Sequence, residues 1–187
     1  MSALGADWPQ LRYDAAHTAV SPEVLADKLQ LQWVREFPEL QSAWPDQVKM
    51  PFDAAYDPIV VGQTLLVGSP NQDCLLALDV VTGKELWRFF TDGPVRLDPA
   101  AANGKVYFVS DDGTLYCVDI ASGTLRWKFR GGPTDRRILG NERLISTWPA
   151  RGGPAIAEGK VYFAASIWPF MGIFIHALDA ETGKVQW

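Results

Sequence analysis

The residues best suited to bind a ligand lie in two stretches that join predicted strands. The segment 131–153, GGPTDRRILGNERLISTWPARGG, carries four arginines against Asp135 and Glu142, a local net charge of 4 − 2 = +2 in a chain of net charge −5. Guanidinium groups bind planar anions through paired hydrogen bonds and stack on aromatic rings. The candidate ligand-binding residues are Arg136, Arg137, Trp148, Arg151, Trp168 and Phe170. They suit a small anionic ligand, such as a carboxylate, or an acidic peptide.

An alternative interpretation is that segment 131–153 is a structural lid. Its arginines would then pair with Asp135, Glu142 and carboxylates of the adjoining strands, and would contribute no binding site. The sequence leaves both interpretations open.

Motifs for catalysis are absent from the sequence. It has no Gly-x-Ser-x-Gly elbow, no His-Glu-x-x-His helix, no paired-cysteine metal motif and no phosphate loop. The two histidines differ in context, since His176 alternates with strand residues and is predicted to pack, whereas His17 is predicted to be solvated or capping. Asp111-Asp112-Gly113 is typical of a tight hairpin, and the remaining ligands of a calcium loop do not follow it. We therefore predict no catalytic residue and no metal site.

Composition narrows the class of protein further. With 48% hydrophobic residues the chain can bury a core, and its net charge of −5 argues against a nucleic-acid partner. The segment Val161–Leu178 has no formally charged residue, but Ser166, Pro169 and Gly172 interrupt it. Because a membrane helix needs about 20 apolar residues, we interpret this segment as a hairpin and predict no transmembrane segment.

One motif recurs three times and must organise the rest of the chain. It reads ALDVVTGKELW at Ala77–Trp87, CVDIASGTLRW at Cys117–Trp127 and ALDAETGKVQW at Ala177–Trp187. In every copy an aspartate precedes a glycine by four positions and a tryptophan by eight. The residues expected to have this structural role are Asp79, Gly83, Trp87, Asp119, Gly123, Trp127, Asp179, Gly183 and Trp187.

Each copy of the motif follows the same prelude. A proline begins a short run of small or β-branched residues, and a glycine then precedes an alternating apolar run such as KVYFVS, Lys105–Ser110. Each unit thus reads as four short strands, and units of about 40 residues are typical of β-propeller blades. The innermost strands should be Ile59–Val61, Ala100–Ala102 and Ala155–Ala157, where crowding at the axis favours small residues.

These repeats resemble the PQQ-like (pyrroloquinoline quinone) β-propeller family, whose tryptophan-docking motif reads Ala-x-Asp-x-x-x-Gly-x-x-x-Trp. The resemblance covers Tyr56–Trp187 and implies an all-β propeller of four-stranded antiparallel blades. The family includes quinone-cofactor dehydrogenases, the propeller lipoprotein of the outer-membrane assembly machinery and bacterial receptor sensor domains. The chain looks like the N-terminal part of a secreted bacterial propeller.

The expected organisation is an N-terminal extension over residues 1–30 and a partial propeller over 31–187. About three complete blades are expected, at about 56–91, 98–130 and 154–187, with one additional outer strand at Leu31–Phe37 that contains Trp33. In the family, strands from the far end of the chain join such a strand. We therefore expect this arc to meet further blades of a longer chain or to self-associate through its open edges.

Three long insertions, Pro38–Asp57, Gly131–Gly153 and Ile167–Met171, all fall on one predicted face, the long-loop face. In a four-stranded blade, the connections between blades and the loops joining strands two and three emerge at the same end, and binding residues concentrate in long loops on a rigid scaffold. We predict a binding scaffold that uses this long-loop face for a protein partner or a small anion. The alternative, implied by the resemblance alone, is part of a quinone-dependent dehydrogenase acting on alcohols or sugars. PQQ with calcium would then be its cofactor, although no cofactor-binding residue can be assigned here.

Two further expectations concern location and redox state. Ala3-Leu4-Gly5 resembles the end of a signal sequence, and this and the family resemblance favour an extracytoplasmic protein. Cys74 and Cys117 lie on third strands of neighbouring blades, where they form either a disulfide or two buried free thiols.

Overall fold

The computed structural model describes residues 6–40, 42–44, 55–140 and 143–187, and their regular structure is almost entirely strand. The strands are β1 (Ile59–Val61), β2 (Thr64–Ser69), β3 (Cys74–Asp79), β4 (Glu85–Phe90), β5 (Ala100–Ala102), β6 (Lys105–Val109), β7 (Thr114–Asp119), β8 (Leu125–Arg130), β9 (Arg137–Gly140), β10 (Arg143–Ser146), β11 (Ala155–Ala157), β12 (Lys160–Ala165) and β13 (Phe174–Asp179). Among these residues the only helical element is a 3-10 turn at Pro169–Met171.

The strands form antiparallel sheets in chain order. Blade one is β1-β2-β3-β4 and blade two is β5-β6-β7-β8, while blade three comprises β11-β12-β13 and a separate hairpin pairs β9 with β10. The three innermost strands match their predicted bounds. The expected all-β partial propeller is thereby confirmed.

Burial changes from the middle to the outside of each blade. In blade two, Val106, Tyr107 and Phe108 on β6 are all buried, because both faces of this strand lie against neighbouring elements. Strand β8, with the sequence LRWKFR, instead alternates between exposed and half-buried side chains. The middle strands therefore supply the core, and the fourth strand forms the outer, solvated edge.

Two apolar clusters hold the blades together. The first includes Leu66 and Leu75 of blade one and Val106 and Phe108 of blade two, with Trp87 packed against it. The second is formed by side chains of blades two and three, with Trp127 and Phe129 packed against it. Both clusters thus bury apolar side chains where neighbouring blades meet.

The repeated aspartate shapes the turn between the third and fourth strands. In blade one the Asp79 Oδ1 accepts hydrogen bonds from the Thr82 amide and hydroxyl, each 2.7 Å long, and the Gly83 amide donates to the Asp79 carbonyl. Asp119 and Asp179 accept equivalent bonds from Ser122 and Thr182. These bonds favour the ionised carboxylate, so the hydroxyl of Thr82 first of all lowers the pKa of Asp79 below its ordinary value.

Each turn glycine receives a tryptophan from the preceding repeat. The ring of Trp87 lies on Gly123, where an added Cβ would come within 2.7 Å of it, and its Nε1 donates to the Ile120 carbonyl at 2.8 Å. Trp127 makes the same contacts with Gly183 and the Glu181 carbonyl. Only a glycine leaves room for the ring, and its φ of +68° at position 123 is also one that glycine adopts readily.

The segment Leu31–Phe37 corrects the prediction of an outer strand. No regular strand forms there, because no described third strand lies beside it to pair with its backbone. Trp33 nevertheless behaves as a motif tryptophan, since its ring lies on Gly83 and its Nε1 donates to the Val80 carbonyl at 2.9 Å.

The fourth strand of blade three is also shorter than predicted. Four complete strands are predicted, but Val185 joins Leu178 through an isolated bridge, and Gln186 and Trp187 bond the backbone of Ala177 without forming a regular strand. Trp187 is 64% exposed, with its ring 6.3 Å from that of Tyr162. Blade three therefore holds three regular strands.

The N-terminal residues form a strap across all three blades. The amide and carbonyl of Trp8 pair with Val60 on β1, and the carbonyl of Pro9 accepts a 2.7 Å bond from the amide of Ala101 on β5. The side-chain amide of Gln10 bonds both backbone groups of Ile156 on β11. Three consecutive residues thus satisfy backbone groups of the three innermost strands.

The two cysteines do not form a disulfide. Cys74 and Cys117 are both buried and free, so the disulfide alternative is excluded here. Burial raises the pKa of Cys74 to about 11 and that of Cys117 to about 12, which keeps both thiols protonated and unreactive.

No helix within the described residues is long and apolar enough to cross a membrane.

Candidate binding face

The insertion between blades two and three folds into the hairpin β9–β10. Leu139 pairs with Leu144 and Ile138 with Ile145. The Ser146 amide donates to the Asp111 carbonyl at 2.8 Å, which attaches β10 to the hairpin loop of blade two. The insertion is therefore an ordered element fixed to the ring at its second strand.

The second insertion, in blade three, lies against the first. Trp148 is buried, and its Nε1 donates a 2.8 Å bond to the carbonyl of Met171 in the 3-10 turn. Ala150 forms a bridge with Ala165, and the Ser166 amide donates to the Pro149 carbonyl. The two insertions share one face, as strand parity predicts.

This contact supports an exposed aromatic pair. Trp168 and Phe170 stack with centroids 6.0 Å apart, and they are 40% and 80% exposed. Trp44 meets the ring of Trp168 edge-on at 6.4 Å. Exposed apolar side chains that form a contiguous patch are typical of surfaces that contact a partner.

A buried ion cluster lies beside the aromatic pair. Asp111 accepts a 2.7 Å bond from Arg96 Nε and bonds of 2.9 and 2.7 Å from Arg151 Nε and Nη2. The side chains of Asp111, Arg96 and Arg151 are only 2%, 7% and 11% exposed. Arg151 also lies 4.3 Å from the ring centre of Trp44, so it links the ion cluster to the aromatic residues.

The structure brings only part of the predicted site together. Trp148, Arg151, Trp168 and Phe170 lie in one neighbourhood, whereas Arg137 pairs with Asp92 at 2.8 Å. Arg136 is exposed, and among the described residues its side chain has no ion pair. Glu142, which the lid interpretation invokes, lies outside the described residues.

Two expectations about this loop are wrong. Trp148 is a candidate ligand-binding residue, but it is buried inside the loop, where its indole Nε1 bonds the Met171 carbonyl of the 3-10 turn. Arg151 was expected to face a ligand, but it pairs with Asp111 in a buried setting. Arg143 pairs with Asp73, so three of the four arginines fit the lid interpretation and Arg136 alone does not.

Sequence reasoning missed Arg96, Asp111 and Trp44. The repeat itself contained a signal for the first, because Arg96 and Arg151 each stand three residues before the proline that opens a blade. Asp111 was interpreted as a turn residue, and it does occupy that turn, with Gly113 at φ +85°. Its pairing with two arginines from different connections could not be read from local sequence.

Two further polar side chains, His176 and Asp98, are held in packed surroundings. The imidazole Nε2 of His176 lies 2.8 Å from the Gly131 carbonyl, and its ring stacks on Phe163. Asp98 is buried against Gly153 with an oxygen, Oδ2, that has no hydrogen-bond partner, and desolvation raises its pKa to about 6. Within the described ranges, no three His, Cys, Asp or Glu side chains are grouped to hold a metal ion.

The family follows from a match that spans most of the chain. A family model described as outer membrane protein assembly factor BamB matches residues 32–187. The chain belongs to this family of PQQ-like repeat propellers. The match begins beside Trp33 and so includes the contact between that ring and blade one.

Curated relatives of this PQQ-like propeller include larger enzymes. The dehydrogenase subunit of the quinone alcohol dehydrogenase of Gluconobacter oxydans (strain 621H) is 34% identical over 142 residues, covering 70% of this chain and 18% of the relative. The glycerol dehydrogenase large subunit of the same organism is 28% identical over 212 residues, covering 100% of this chain and 28% of the relative. The chain spans about a fifth of the length of the first relatives it matches.

A solved structure gives the same fold. The quinohemoprotein alcohol dehydrogenase of Comamonas testosteroni superposes with a TM-score of 0.67 at 23% identity, over 97% of this chain and 26% of that one. At that identity the likeness describes the arrangement of blades and strands.

Proposed function

We propose that this PQQ-like propeller is an extracytoplasmic binding scaffold that engages a protein partner through its long-loop face. The observation that carries the proposal is the stacked, exposed pair Trp168 and Phe170, which the buried Trp148 supports through Met171. A rigid aromatic platform loses little conformational entropy on binding, and aromatic anchors dominate the energetics of protein interfaces. The name of the matching family, an outer membrane assembly factor, supports both the location and the kind of partner.

The rest of the face supports the same role. The ion cluster of Arg96, Asp111 and Arg151 joins the connections on either side of blade two to its hairpin loop, which limits movement of the platform. We propose that the three tryptophan-on-glycine contacts serve the same end by holding the blades in a fixed arc. Rigid support of this kind is what a binding site on long loops requires.

Panning a library of random linear peptides on the immobilised protein tests the proposal. Selected peptides should bind the double variant Trp168→Ala, Phe170→Ala at least about tenfold more weakly, because truncating an aromatic anchor costs about 2 kcal/mol or more. The matched control is Val81→Ala with Leu86→Ala, which removes two exposed apolar side chains from blade one. Peptides that bind the aromatic variant and the wild type equally would refute the proposal.

The second candidate function is part of a quinone-dependent dehydrogenase, and the 34% identity to a quinone alcohol dehydrogenase subunit favours it. The described residues beside the buried arginines do not fit the cofactor. Their cavity, lined by Trp44, Arg96 and Arg151 among others, measures about 50 Å³, whereas small-molecule sites usually enclose about 300 Å³ or more. Titration of the protein with the quinone and calcium, followed by absorbance and dye reduction, separates this candidate from the scaffold.

A further inference from the structure

We propose that the outer edge of β9 is a docking edge that accepts an extended, acidic and apolar peptide strand from the protein partner. This inference rests on the proposed scaffold function and adds to it the conformation and the chemistry of the bound segment. It is carried by the backbone of the β9–β10 hairpin, by the side chains that flank it and by the charge at one end.

The backbone pattern leaves one edge of the hairpin open. The Thr147 amide donates to the Arg136 carbonyl, and in an antiparallel pair such bonded pairs alternate with non-bonded ones. Arg137 and Leu139 therefore direct their amides and carbonyls away from β10. Neither residue has a backbone hydrogen bond on that side within the described part of the chain.

The opposite edge of the same hairpin is already in use. On β10, Ser146 is the outward-facing counterpart of Arg137, and its amide donates to the Asp111 carbonyl at 2.8 Å. The hairpin is thus fixed to blade two through β10 and presents β9 outward. An unpaired strand edge is a template for an added strand, since its amides and carbonyls remain to be satisfied.

The side chains around this edge are apolar, whereas those along the outer edge of β8 are basic. Leu139 is 78% exposed, and its cross-strand neighbour Leu144 is 55% exposed on the same face. By contrast, the outer edge of β8 presents alternating basic side chains, a pattern that discourages strand addition. A strand added to β9 would place every second side chain beside Leu139, on the face that Leu139 shares with Leu144.

Charge selects the remaining side chains of the bound segment. Arg136 immediately precedes the open edge, is exposed and has no ion pair among the described residues. The adjacent cleft is lined by three basic and three acidic side chains, Lys128, Arg130 and Arg137 with Asp92, Asp112 and Asp135, and Arg137 already pairs with Asp92. Arg136 lies outside this balanced set. An unpaired guanidinium at one end of the edge favours a carboxylate on the incoming strand. The occupant is therefore an extended segment that alternates apolar and acidic residues.

Hydrogen exchange of the full chain with a defined probe tests the inference. The probe is acetyl-(Val-Glu)4-amide, compared with acetyl-(Val-Lys)4-amide and with the acidic peptide N-methylated at every residue. Adding the acidic peptide should slow exchange of the Arg137 and Leu139 amides by about tenfold, because each gains an acceptor. The basic and the N-methylated peptides should bind at least about fivefold more weakly.

A charge-reversal pair supplies the control. Arg136→Glu should weaken binding of the acidic peptide by about fivefold or more, whereas Lys28→Glu, the same change of sign at an exposed site in the N-terminal extension, should not. Failure of the acidic peptide to bind at millimolar concentration overturns the inference.

One further outcome separates the inference from the proposed function. If the acidic peptide binds without protecting Arg137 and Leu139, tolerates N-methylation and is lost in the Trp168→Ala, Phe170→Ala variant, the docking edge is wrong and the scaffold stands. If β9 binds the peptide while panned peptides ignore the aromatic pair, the docking edge stands and the proposed role of the platform fails.

Discussion

The interfaces between blades, here called seams, repeat one contact from unit to unit, whereas the contacts of the long-loop face differ from unit to unit. At the seams one contact is repeated: a tryptophan of one unit covers a glycine of the next, at Gly83, Gly123 and Gly183. On the long-loop face no contact between described residues recurs in all three units. There a buried arginine pair, a supported aromatic stack and a two-stranded hairpin each occur once.

The difference shows where the sequence is constrained by packing. At a seam, each interface must accept the same ring against the same turn, so a substitution has a similar cost in every unit. On the long-loop face, the seams already provide stability, and side chains can stay exposed or unpaired. Arg136, Phe170 and Leu139 are of this kind.

The largest effect should come from removing a seam tryptophan. Trp87→Ala and Trp127→Ala should each lower the free energy of unfolding by about 3 to 5 kcal/mol, because each leaves a cavity between blades. Trp187→Ala should cost much less, since that ring is 64% exposed. Urea denaturation of the three variants measures the difference. Equal losses at Trp127 and Trp187 would contradict a special role for the seam.

The next effect is a pH dependence of stability at Asp98, which lies against Gly153 at the end of segment 131–153. Burial raises the pKa of Asp98 to about 6, so between about pH 4 and pH 6 the folded state binds more protons than the unfolded state. Stability should therefore fall as the pH rises through this range. A shift of about two pKa units corresponds to roughly 3 kcal/mol.

Asp98→Asn should consequently be more stable than wild type at pH 8, with the difference shrinking towards pH 4. The contrasting variant is Asp119→Asn, because its ion pair with Arg126 lowers the pKa of Asp119 and its contribution is lost as the pH falls. Thermal melts across pH 4 to 8 measure both. A pH-independent difference between Asp98→Asn and wild type would show that the carboxyl is not desolvated.

A smaller effect distinguishes two glycines that share a backbone conformation. Gly123 and Gly104 have φ of +68° and +73°, but only at Gly123 would a Cβ meet a tryptophan ring. Gly104→Ala should cost about 1 to 2 kcal/mol from the left-handed backbone. Gly123→Ala should cost about 1 to 3 kcal/mol more from overpacking. Equal melting temperatures of the two variants would show that the ring can shift without cost.

The smallest stability effect should come from the long-loop face. Arg136→Ala combined with Arg137→Ala should change the free energy of unfolding by less than about 1 kcal/mol, because exposed ion pairs contribute little. The same variant should bind acidic ligands more weakly, as measured by calorimetry with an acidic peptide. A large stability loss with unchanged binding would instead support the lid interpretation.

Short-range residue patterns were enough to predict the repeat and the local structure that follows from it. The positions of the innermost strands, the turn at each Asp-to-Gly segment and the face that carries the insertions could all be predicted, because each depends on residues close together in the chain. Even the alignment of Arg96 with Arg151 was present in the repeat.

Contacts between distant parts of the chain set which side chains on the long-loop face stay exposed for binding. Trp148 and Arg151 read as exposed candidates, yet their partners, Met171 and Asp111, are 23 and 40 residues away in the chain. The strap at Trp8–Gln10 likewise bonds three strands that the sequence does not place beside it. Burial and pairing of this kind are set by contacts between distant segments, so local patterns of residue type cannot specify them.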